Sequence, residues 1–296
     1  GKARIVAQRG RHCRHLGGMI GAVTDQRDTG LGQCLLIGVQ PLTELRDVDP
    51  VHWNPLHRAW VLTRYGDVAR ELRSQALTAE RISPFVPSVS KTSRSDELDA
   101  TFKILEDWIV FRDPPEHTRL RRLVARAFTP SVVKANTPEI TATIDGIVAD
   151  LRDRDRLDLI DEFAYPLPAV VIAQMLGVPA QDRDLFKEWS DRITALVFGA
   201  YGQPDRFESA ARGMMELRDY LLDLIQHYEA HPADNLISVL LEHEDDDALS
   251  RDELVATCTL LLFGGHETTT NLIGNGILAL LSHRDQWELL RDDPSL

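Results

Sequence analysis

Residues 254–270 read LVATCTLLLFGGHETTT, and this stretch decides the fold. Its first part, up to Phe263, is nearly all apolar, which is typical of a helix that is buried on every side. Ser250 and Glu253 have the spacing of a capping box, so the helix is predicted to begin there and to run to about Leu281. At a rise of 1.5 Å per residue, such a helix is about 48 Å long. We therefore expect one long helix at the centre of the protein.

The segment 264–270 breaks three rules for a buried helix. Gly264 and Gly265 each cost about 1 kcal/mol relative to alanine, three β-branched threonines follow, and the carboxylate of Glu267 is costly to bury. Such breaks concentrate at functional sites. Paired glycines would let a flat ligand lie against the backbone, threonine hydroxyls would bond to backbone carbonyls and bend or widen the turn, and Glu267 beside Thr268 would relay protons. Alternatively, the small residues serve helix packing and Glu267 reaches a solvated channel, and the residues alone leave both interpretations open.

Two histidine patterns are weak candidates for a metal site. His266 begins a stretch like the zinc motif H-E-x-x-H, but Thr270 stands where the second histidine is needed. His227 and His231 share a helix face near a helix end, where an exposed pair is the simpler interpretation. We expect no zinc centre at either place.

The composition excludes several classes of protein. Of 296 residues, 33 are Lys or Arg and 46 are Asp or Glu, which gives a net charge of −13. This acidic balance disfavours a nucleic-acid binder. Three cysteines form no disulfide framework and favour a reducing compartment, so a cytoplasmic location is expected. We find no apolar run of about 18 residues, so no membrane anchor is expected.

The rest of the chain predicts a mainly α fold with a small β element. Two β-like runs at 51–53 and 59–63 form a hairpin, preceded by a helix at 41–48. Residues 65–67 are predicted to cap a helix that ends at Arg73. Further helices are predicted at 113–128, from 129 onwards, and at 138–152, 163–176, 182–197, 205–229 and 235–242, with loops at 83–95 and 242–247. Residues 1–38 show no clear period and are treated as an unassigned N-terminal extension.

A second motif, DPPEHTRLRR, occupies residues 113–122. Asp113 is predicted to be the N-cap of its helix, with a proline at the first position and a glutamate three residues after the cap. His117 and Arg121 are four residues apart and share one face, which suits a carboxylate ligand. The alternative for this pair is a solvated basic face, which the motif in isolation favours.

Together these stretches resemble the cytochrome P-450 family of haem-thiolate monooxygenases, in its bacterial branch. The glycine–acid–alcohol segment resembles the family's central helix over the distal haem face, and residues 113–122 resemble the helix that holds a haem propionate. Further segments that resemble the family are DPVHW at 49–53, FAYPLP at 163–168, LGVP at 176–179 and NLIGN at 271–275. The resemblance covers residues 39–296, which form the expected haem-thiolate domain.

The resemblance implies a haem b cofactor and a monooxygenase that inserts one oxygen atom from O2 into a small hydrophobic organic substrate. Glu267 and Thr268 would be catalytic, whereas His117, Arg121, Gly264, Gly265 and Thr268 would bind the cofactor. Electrons would come from a ferredoxin-type or other partner. Basic residues that could receive this partner, or form a solvated face instead, are Arg119, Arg122 and Arg126. The loops at 83–95 and 199–204 occupy places where the family shapes substrate access.

The family's Glu-x-x-Arg helix and its iron-ligating cysteine loop would follow Leu296, so the domain is expected to be incomplete. Cys258 lies among apolar residues of the central helix and is predicted to be a core cysteine. Cys34 only faintly resembles the ligand loop, and Cys13 has two neighbouring histidines but no further ligand. No axial metal ligand is therefore assigned. The alternative function is a truncated α-helical product without haem-thiolate activity.

Overall fold

The computed structural model describes residues 5–6, 42–55, 59–84, 86, 95–197, 206–242 and 248–296. The α-helices are α1 Leu42–Val48, α2 Tyr65–Glu71, α3 Asp96–Glu106, α4 Glu116–Arg126, α5 Pro130–Ala135, α6 Thr137–Leu151, α7 Pro166–Leu176, α8 Arg183–Val197, α9 Arg206–Ala230, α10 Leu236–Leu241, α11 Arg251–Ser282 and α12 Arg284–Asp292. Short 3-10 or π turns are Ile109–Phe111, Ile160–Ala164 and Ala180–Asp182. The strands are β1 Ile5–Val6, β2 Val51–Asn54 and β3 Ala59–Leu62. The predicted class, mainly α with a small β element, is confirmed.

The small sheet confirms the predicted hairpin and adds one short strand to it. Strands β2 and β3 are antiparallel, with Trp53 opposite Trp60, and the two rings meet edge to face with centroids 5.3 Å apart. Such cross-strand aromatic pairs stabilise a hairpin and fix its register. Within the unassigned extension 1–38, Ile5 and Val6 form a strand that pairs with β3 in parallel. Two residues are too short to show a period, so the pattern could not reveal this strand.

The central helix α11 begins as the sequence predicts. The Ser250 side chain accepts a hydrogen bond from the Glu253 backbone N–H, and the Glu253 carboxylate accepts one from the Ser250 backbone N–H. The helix then continues without a break to Ser282, so the threonines neither interrupt nor widen it. Its first half is buried from Leu254 to Thr259. This helix therefore forms the axis on which the other helices pack.

The core lies between α11 and the helices that surround it. Helix α7 packs along α11, α8 packs along α9, and α3 packs against α9. Trp108, which is 1% exposed, reaches into this core and donates its indole N–H to Thr259 Oγ1 at 2.9 Å. Thr259 was a polar interruption in an apolar stretch, and its role is to satisfy this indole. The bond fixes the segment between α3 and α4 on the central helix.

Two predicted helix starts are wrong in detail. Helix α4 begins at Glu116 with Pro115 as its N-cap, because the Asp113 carboxylate bonds elsewhere, to Thr78 and to the Ala79 backbone N–H. The cap of α2 is Arg64, which provides no side-chain bond, rather than the tripeptide from Tyr65. At α4, contacts with a distant segment overrode the local cap signal. At α2, the backbone turns one residue earlier than the local pattern predicts.

The helix predicted at 163–176 is preceded by a π turn and ends at a left-handed residue. The π turn is Ile160–Ala164, and α7 then begins at Pro166. Gly177 has a φ of +83°, and a Cβ there would lie 2.7 Å from both Asn235 Nδ2 and Tyr228 Oη. Tyr228 donates its hydroxyl to the Gly177 carbonyl at 2.7 Å. A glycine is therefore needed at this position to end α7 and to let α9 and the start of α10 approach.

Candidate functional site

The paired glycines of α11 face different surroundings. A Cβ placed on Gly264 would meet no atom within 4 Å among the described residues, whereas one on Gly265 would lie 3.1 Å from Ile172 Cγ1 of α7. This contact supports the helix-packing interpretation for Gly265. Gly264 instead leaves an open strip of backbone. Thr268 lies one turn further on the same face and is exposed.

The threonines bond to the helix backbone as the sequence predicts. Thr268 donates its hydroxyl to the Gly264 carbonyl at 2.7 Å, and Thr269 donates to the Gly265 carbonyl at 2.9 Å. Thr270 Oγ1 is buried and has no hydrogen-bond partner within the described part of the chain. The Thr268 hydroxyl uses its hydrogen in the bond to the Gly264 carbonyl. The lone pairs of its oxygen are therefore left to accept a hydrogen bond on the open strip.

His266 is buried in the protein. It is 1% exposed, its Nδ1 lies 2.9 Å from the Leu262 carbonyl oxygen, and its Nε2 lies 3.3 Å from Ser190 Oγ of α8. The Tyr165 ring meets the imidazole edge to face at 5.2 Å. Burial lowers the pKa of His266, so the ring is neutral at ordinary pH.

Glu267 lies between the buried and the exposed faces of α11. Its side chain is 15% exposed, and its Oε2 is 3.8 Å from His266 Nε2. Burial raises the pKa of Glu267, and the negative charge of Asp191 on α8 raises it further. A side-chain hydrogen bond from Asn271 acts in the opposite direction and lowers the pKa. With 15% of its side chain exposed, Glu267 is neither fully buried nor fully solvated.

Helix α4 separates its basic residues into two sets. Arg119 forms an ion pair with Glu253, the capping acid of α11, so it ties α4 to the central helix and is not free for a partner. His117 is half-buried and Arg121 is exposed. Within the described residues, the structure records no side-chain hydrogen bond or ion pair for either of these two. They sit one turn apart on one helix, as predicted, and can receive a carboxylate.

The cysteine and histidine predictions have the following outcomes. Cys258 is fully buried, and burial raises the pKa of its thiol to about 12, which confirms a core cysteine. His227 and His231 are exposed with stacked rings 4.9 Å apart, as expected for a pair at a helix end. Among the residues that the structure describes, no group of three or more His, Cys, Asp or Glu could hold a metal ion. Cys13 and Cys34, the loop 199–204, residues 243–247 and most of 83–95 lie outside the described residues.

Three residues near Glu267 were not identified as site residues by sequence reasoning. Tyr165 donates its hydroxyl to Asp191 Oδ1 at 3.0 Å, and Ser190 lies against His266. They come from the turn before α7 and from α8, far from α11 in sequence. Tyr165 stood in the segment 163–168 that resembles the family, but nothing in the sequence connected it with the central helix.

Comparisons with known proteins identify the family of this chain. Residues 89–293 match the model of the family described as Cytochrome P450. The chain is 42% identical over 256 residues to a vitamin D(3) 25-hydroxylase of Pseudonocardia autotrophica, covering 85% of this chain and 60% of that protein. It is 35% identical over 264 residues to cytochrome P450 CYP107DY1 of Priestia megaterium, covering 87% of this chain and 62% of that protein.

A solved structure gives the same result in three dimensions. The crystal structure of P450BioI, in complex with an acyl carrier protein that bears hexadec-9Z-enoic acid, superposes with a TM-score of 0.76 at 29% identity. It covers 86% of this chain and 64% of that chain. The superposition shows that the helices of this chain have the fold of a cytochrome P450. The chain belongs to the cytochrome P450 family, of the bacterial type, and it spans about three fifths of the length of the relatives that it matches.

No helix within the described ranges is long and apolar enough to cross a membrane.

Proposed function

We propose that the whole protein is a haem-dependent monooxygenase that inserts one oxygen atom from O2 into a small hydrophobic organic substrate. The observation that carries this proposal is the open strip at Gly264 and Thr268, where the buried first half of α11 ends, with Glu267 next to it. No described neighbour packs so closely on Gly264 that it requires a glycine there. A glycine inside a helix nevertheless costs about 1 kcal/mol of stability relative to alanine. A flat ligand against this strip explains why the glycine is there.

The residues of this chain fit a haem b group. The strip at Gly264 lacks any side chain that would hold a planar macrocycle away from the backbone. His117 and Arg121 lie one turn apart on α4 and would hold a propionate by charge-assisted hydrogen bonds. Gly265 would contribute indirectly, because its lack of a side chain lets Ile172 of α7 pack closely against α11. When bound, the haem would supply the activation of O2.

The protein's own groups would manage protons at the distal side. Burial and the negative charge of Asp191 raise the pKa of Glu267, which favours its protonated form, while a side-chain hydrogen bond from Asn271 acts in the other direction. Thr268 follows it in sequence and donates its hydroxyl to the Gly264 carbonyl. The lone pairs of this hydroxyl oxygen would accept a hydrogen bond on the strip, and Glu267 would serve as the nearby proton donor.

The substrate class and the electron partner are also part of the proposal. One relative is named as a vitamin D(3) 25-hydroxylase, and another is solved with a long-chain acyl group on a carrier protein, which supports a hydrophobic substrate. An acidic ferredoxin-type partner would approach the exposed Arg126, whereas Arg119 is paired with Glu253. The free thiol of Cys258 is compatible with a reducing, cytoplasmic location.

The test is a spectrum of the protein expressed from the gene with the sequence downstream of Leu296 included. The haem-loaded protein is reduced under CO, and we expect the strongly red-shifted Soret band of a thiolate-ligated haem. A protein that folds, binds haem and lacks this band would contradict the proposal. A stop codon directly after Leu296 would instead favour the truncated α-helical product without haem-thiolate activity.

A further inference from the structure

We propose that Arg119 is a positioning residue, which sets the direction of His117 and Arg121 by anchoring α4 to Glu253 of α11. The inference rests on the proposed function, because the ligand that His117 and Arg121 would receive is a haem propionate. The sequence pattern alone instead groups Arg119 with the basic residues of a partner surface or a solvated face.

The anchor is an ion pair between two side chains that are both partly buried. The Arg119 guanidinium donates to Glu253 Oε1, and the two side chains are 31% and 21% exposed. The other carboxylate oxygen, Oε2, accepts the Ser250 backbone N–H at 2.9 Å. Because both oxygens are used, the carboxylate is held in one orientation when it receives the guanidinium. The capping box of α11 therefore presents a fixed anion to α4.

The place of Arg119 on α4 decides what this ion pair controls. Leu120 and Leu123 form the buried stripe of the helix. At 3.6 residues per turn, Arg119 lies about 180° around the helix from the midpoint between His117 and Arg121. Apolar packing of the stripe is not directional, whereas a charge-assisted hydrogen bond is. Holding Arg119 in place thus resists rotation of α4 about its axis and sets the direction of the opposite face.

The other contacts of α4 support this role. The helix packs mainly against the turn Ile109–Phe111 and against α10, rather than along α11. The turn is itself tied to α11, because Trp108 donates its indole N–H to Thr259. Thr259 and Glu253 are six residues apart, which is about 9 Å along the helix. Two separate ties therefore hold α4 and the turn before it on α11. A ligand that is bound by α4 and lies on the open strip needs this fixed distance.

The decisive experiment separates the ion pair from the helix cap, in the haem-loaded protein expressed with its downstream sequence. Glu253→Gln keeps the capping bond, since an amide oxygen can accept the Ser250 N–H, but removes the charge that binds Arg119. Ser250→Ala is the matched control, because it weakens the cap and leaves the ion pair. We expect haem loss to apomyoglobin to become about two- to fivefold faster in Glu253→Gln. The propionate bending mode in the resonance Raman spectrum should shift in the same variant.

The control fixes how these results are interpreted. Ser250→Ala should lose stability in urea without faster haem loss and without a shift of the propionate mode. If it changes both as much as Glu253→Gln does, α4 responds to the stability of the cap, and the inference is overturned. Unchanged haem loss and an unchanged mode in folded Glu253→Gln would overturn it as well. A protein that binds no haem before any substitution would instead contradict the proposed function.

Substitutions of the arginine provide an independent check from the other side of the ion pair. Arg119→Gln should shift the propionate mode as Glu253→Gln does, and it replaces that variant if the latter does not fold. Arg119→Lys keeps the charge without the planar fork, so it should restore part of the effect. The double variant Arg119→Gln/Glu253→Gln should be no worse than either single variant, because both remove the same pair. Additive effects on haem loss would contradict the inference.

Discussion

Gly265 of α11 and Ile172 of α7 lie so close that a methyl group on the glycine would come within 3.1 Å of Ile172 Cγ1. The neighbouring Gly264 would accept the same methyl group without meeting any described atom within 4 Å. The two adjacent glycines therefore have different structural roles. One brings α7 and α11 together, and the other leaves a strip of backbone open.

This difference predicts opposite effects of alanine at the two positions. Gly264→Ala should raise the free energy of unfolding by up to about 1 kcal/mol, since a helix glycine is removed without a clash. In Gly265→Ala the same gain should be offset by the clash with Ile172, because overpacking a core lowers the free energy of unfolding by about 1–3 kcal/mol. Urea unfolding of both variants measures the difference. In a double-mutant cycle, Ile172→Val should restore part of the stability of Gly265→Ala, and equal stability of the two alanine variants would contradict the assignment.

The hydrogen bond from Trp108 to Thr259 predicts a second stability effect. Thr259→Val keeps the shape of the side chain but leaves the buried indole N–H without its partner. Leaving a buried donor unsatisfied costs about 1–3 kcal/mol. Thr259→Ser is the matched control, since it retains the hydroxyl at the cost of one methyl group. A valine variant as stable as the serine variant in urea unfolding would show that the bond does not contribute.

Asp191 should control the pKa of Glu267. Replacing Asp191 with Asn removes a negative charge that disfavours ionisation, so the pKa of Glu267 should fall. The measurement is an infrared titration of the Glu267 carboxyl band, and Asp191→Glu, which keeps the charge, is the control. A midpoint that is the same in Asp191→Asn and in the unmodified protein would contradict the coupling between α8 and α11.

The same raised pKa predicts a pH dependence of stability. In the folded protein Glu267 holds its proton to higher pH than in the unfolded chain. Its contribution to the free energy of unfolding is therefore fully present below the unfolded pKa and is lost as pH rises through the folded pKa. Relative to Glu267→Gln, the unmodified protein should lose stability over this range. A constant difference between the two would show that Glu267 does not titrate differently on folding.

Cys258 should be chemically inert in the folded protein. Its thiol is buried and its pKa is raised to about 12, so the reactive thiolate is scarce at neutral pH. In a background of Cys13→Ser and Cys34→Ser, labelling with iodoacetamide should proceed only at the rate at which the protein opens. Labelling should accelerate sharply across the urea transition. Rapid labelling without urea would show that the start of α11 is not packed as described.

The sequence was sufficient for the elements whose signals are local. The capping box at Ser250 and Glu253 predicted the start of α11, and two β-like runs separated by turn-forming residues predicted the β2–β3 hairpin. The family followed from motifs that kept their order along the chain. Each of these signals is carried by residues that are close together in the sequence, so it does not depend on the rest of the fold.

The parts that failed depend on contacts between distant segments. Asp113 has the sequence of a cap, but its carboxylate is used by the segment at Thr78 and Ala79. Arg119 looks like part of a surface for a partner, and only the fold brings Glu253 to it. The environment of Glu267 requires α8 to lie across α11. No period or motif encodes that arrangement, so these residues were not found or were assigned wrongly.

The central claim is that a flat haem lies on α11 at Gly264, and a leucine at this position tests it most directly. The chain has room for a side chain there, so Gly264→Leu should fold, yet it would block the strip. Gly146→Leu is the control, since Gly146 is exposed on α6 and equally open among the described residues. In the protein expressed with its downstream sequence, we predict that haem affinity, read from the Soret band, falls at least about tenfold in Gly264→Leu. Gly146→Leu should bind haem normally, and a Gly264→Leu variant that folds and binds haem like the unmodified protein would contradict the account.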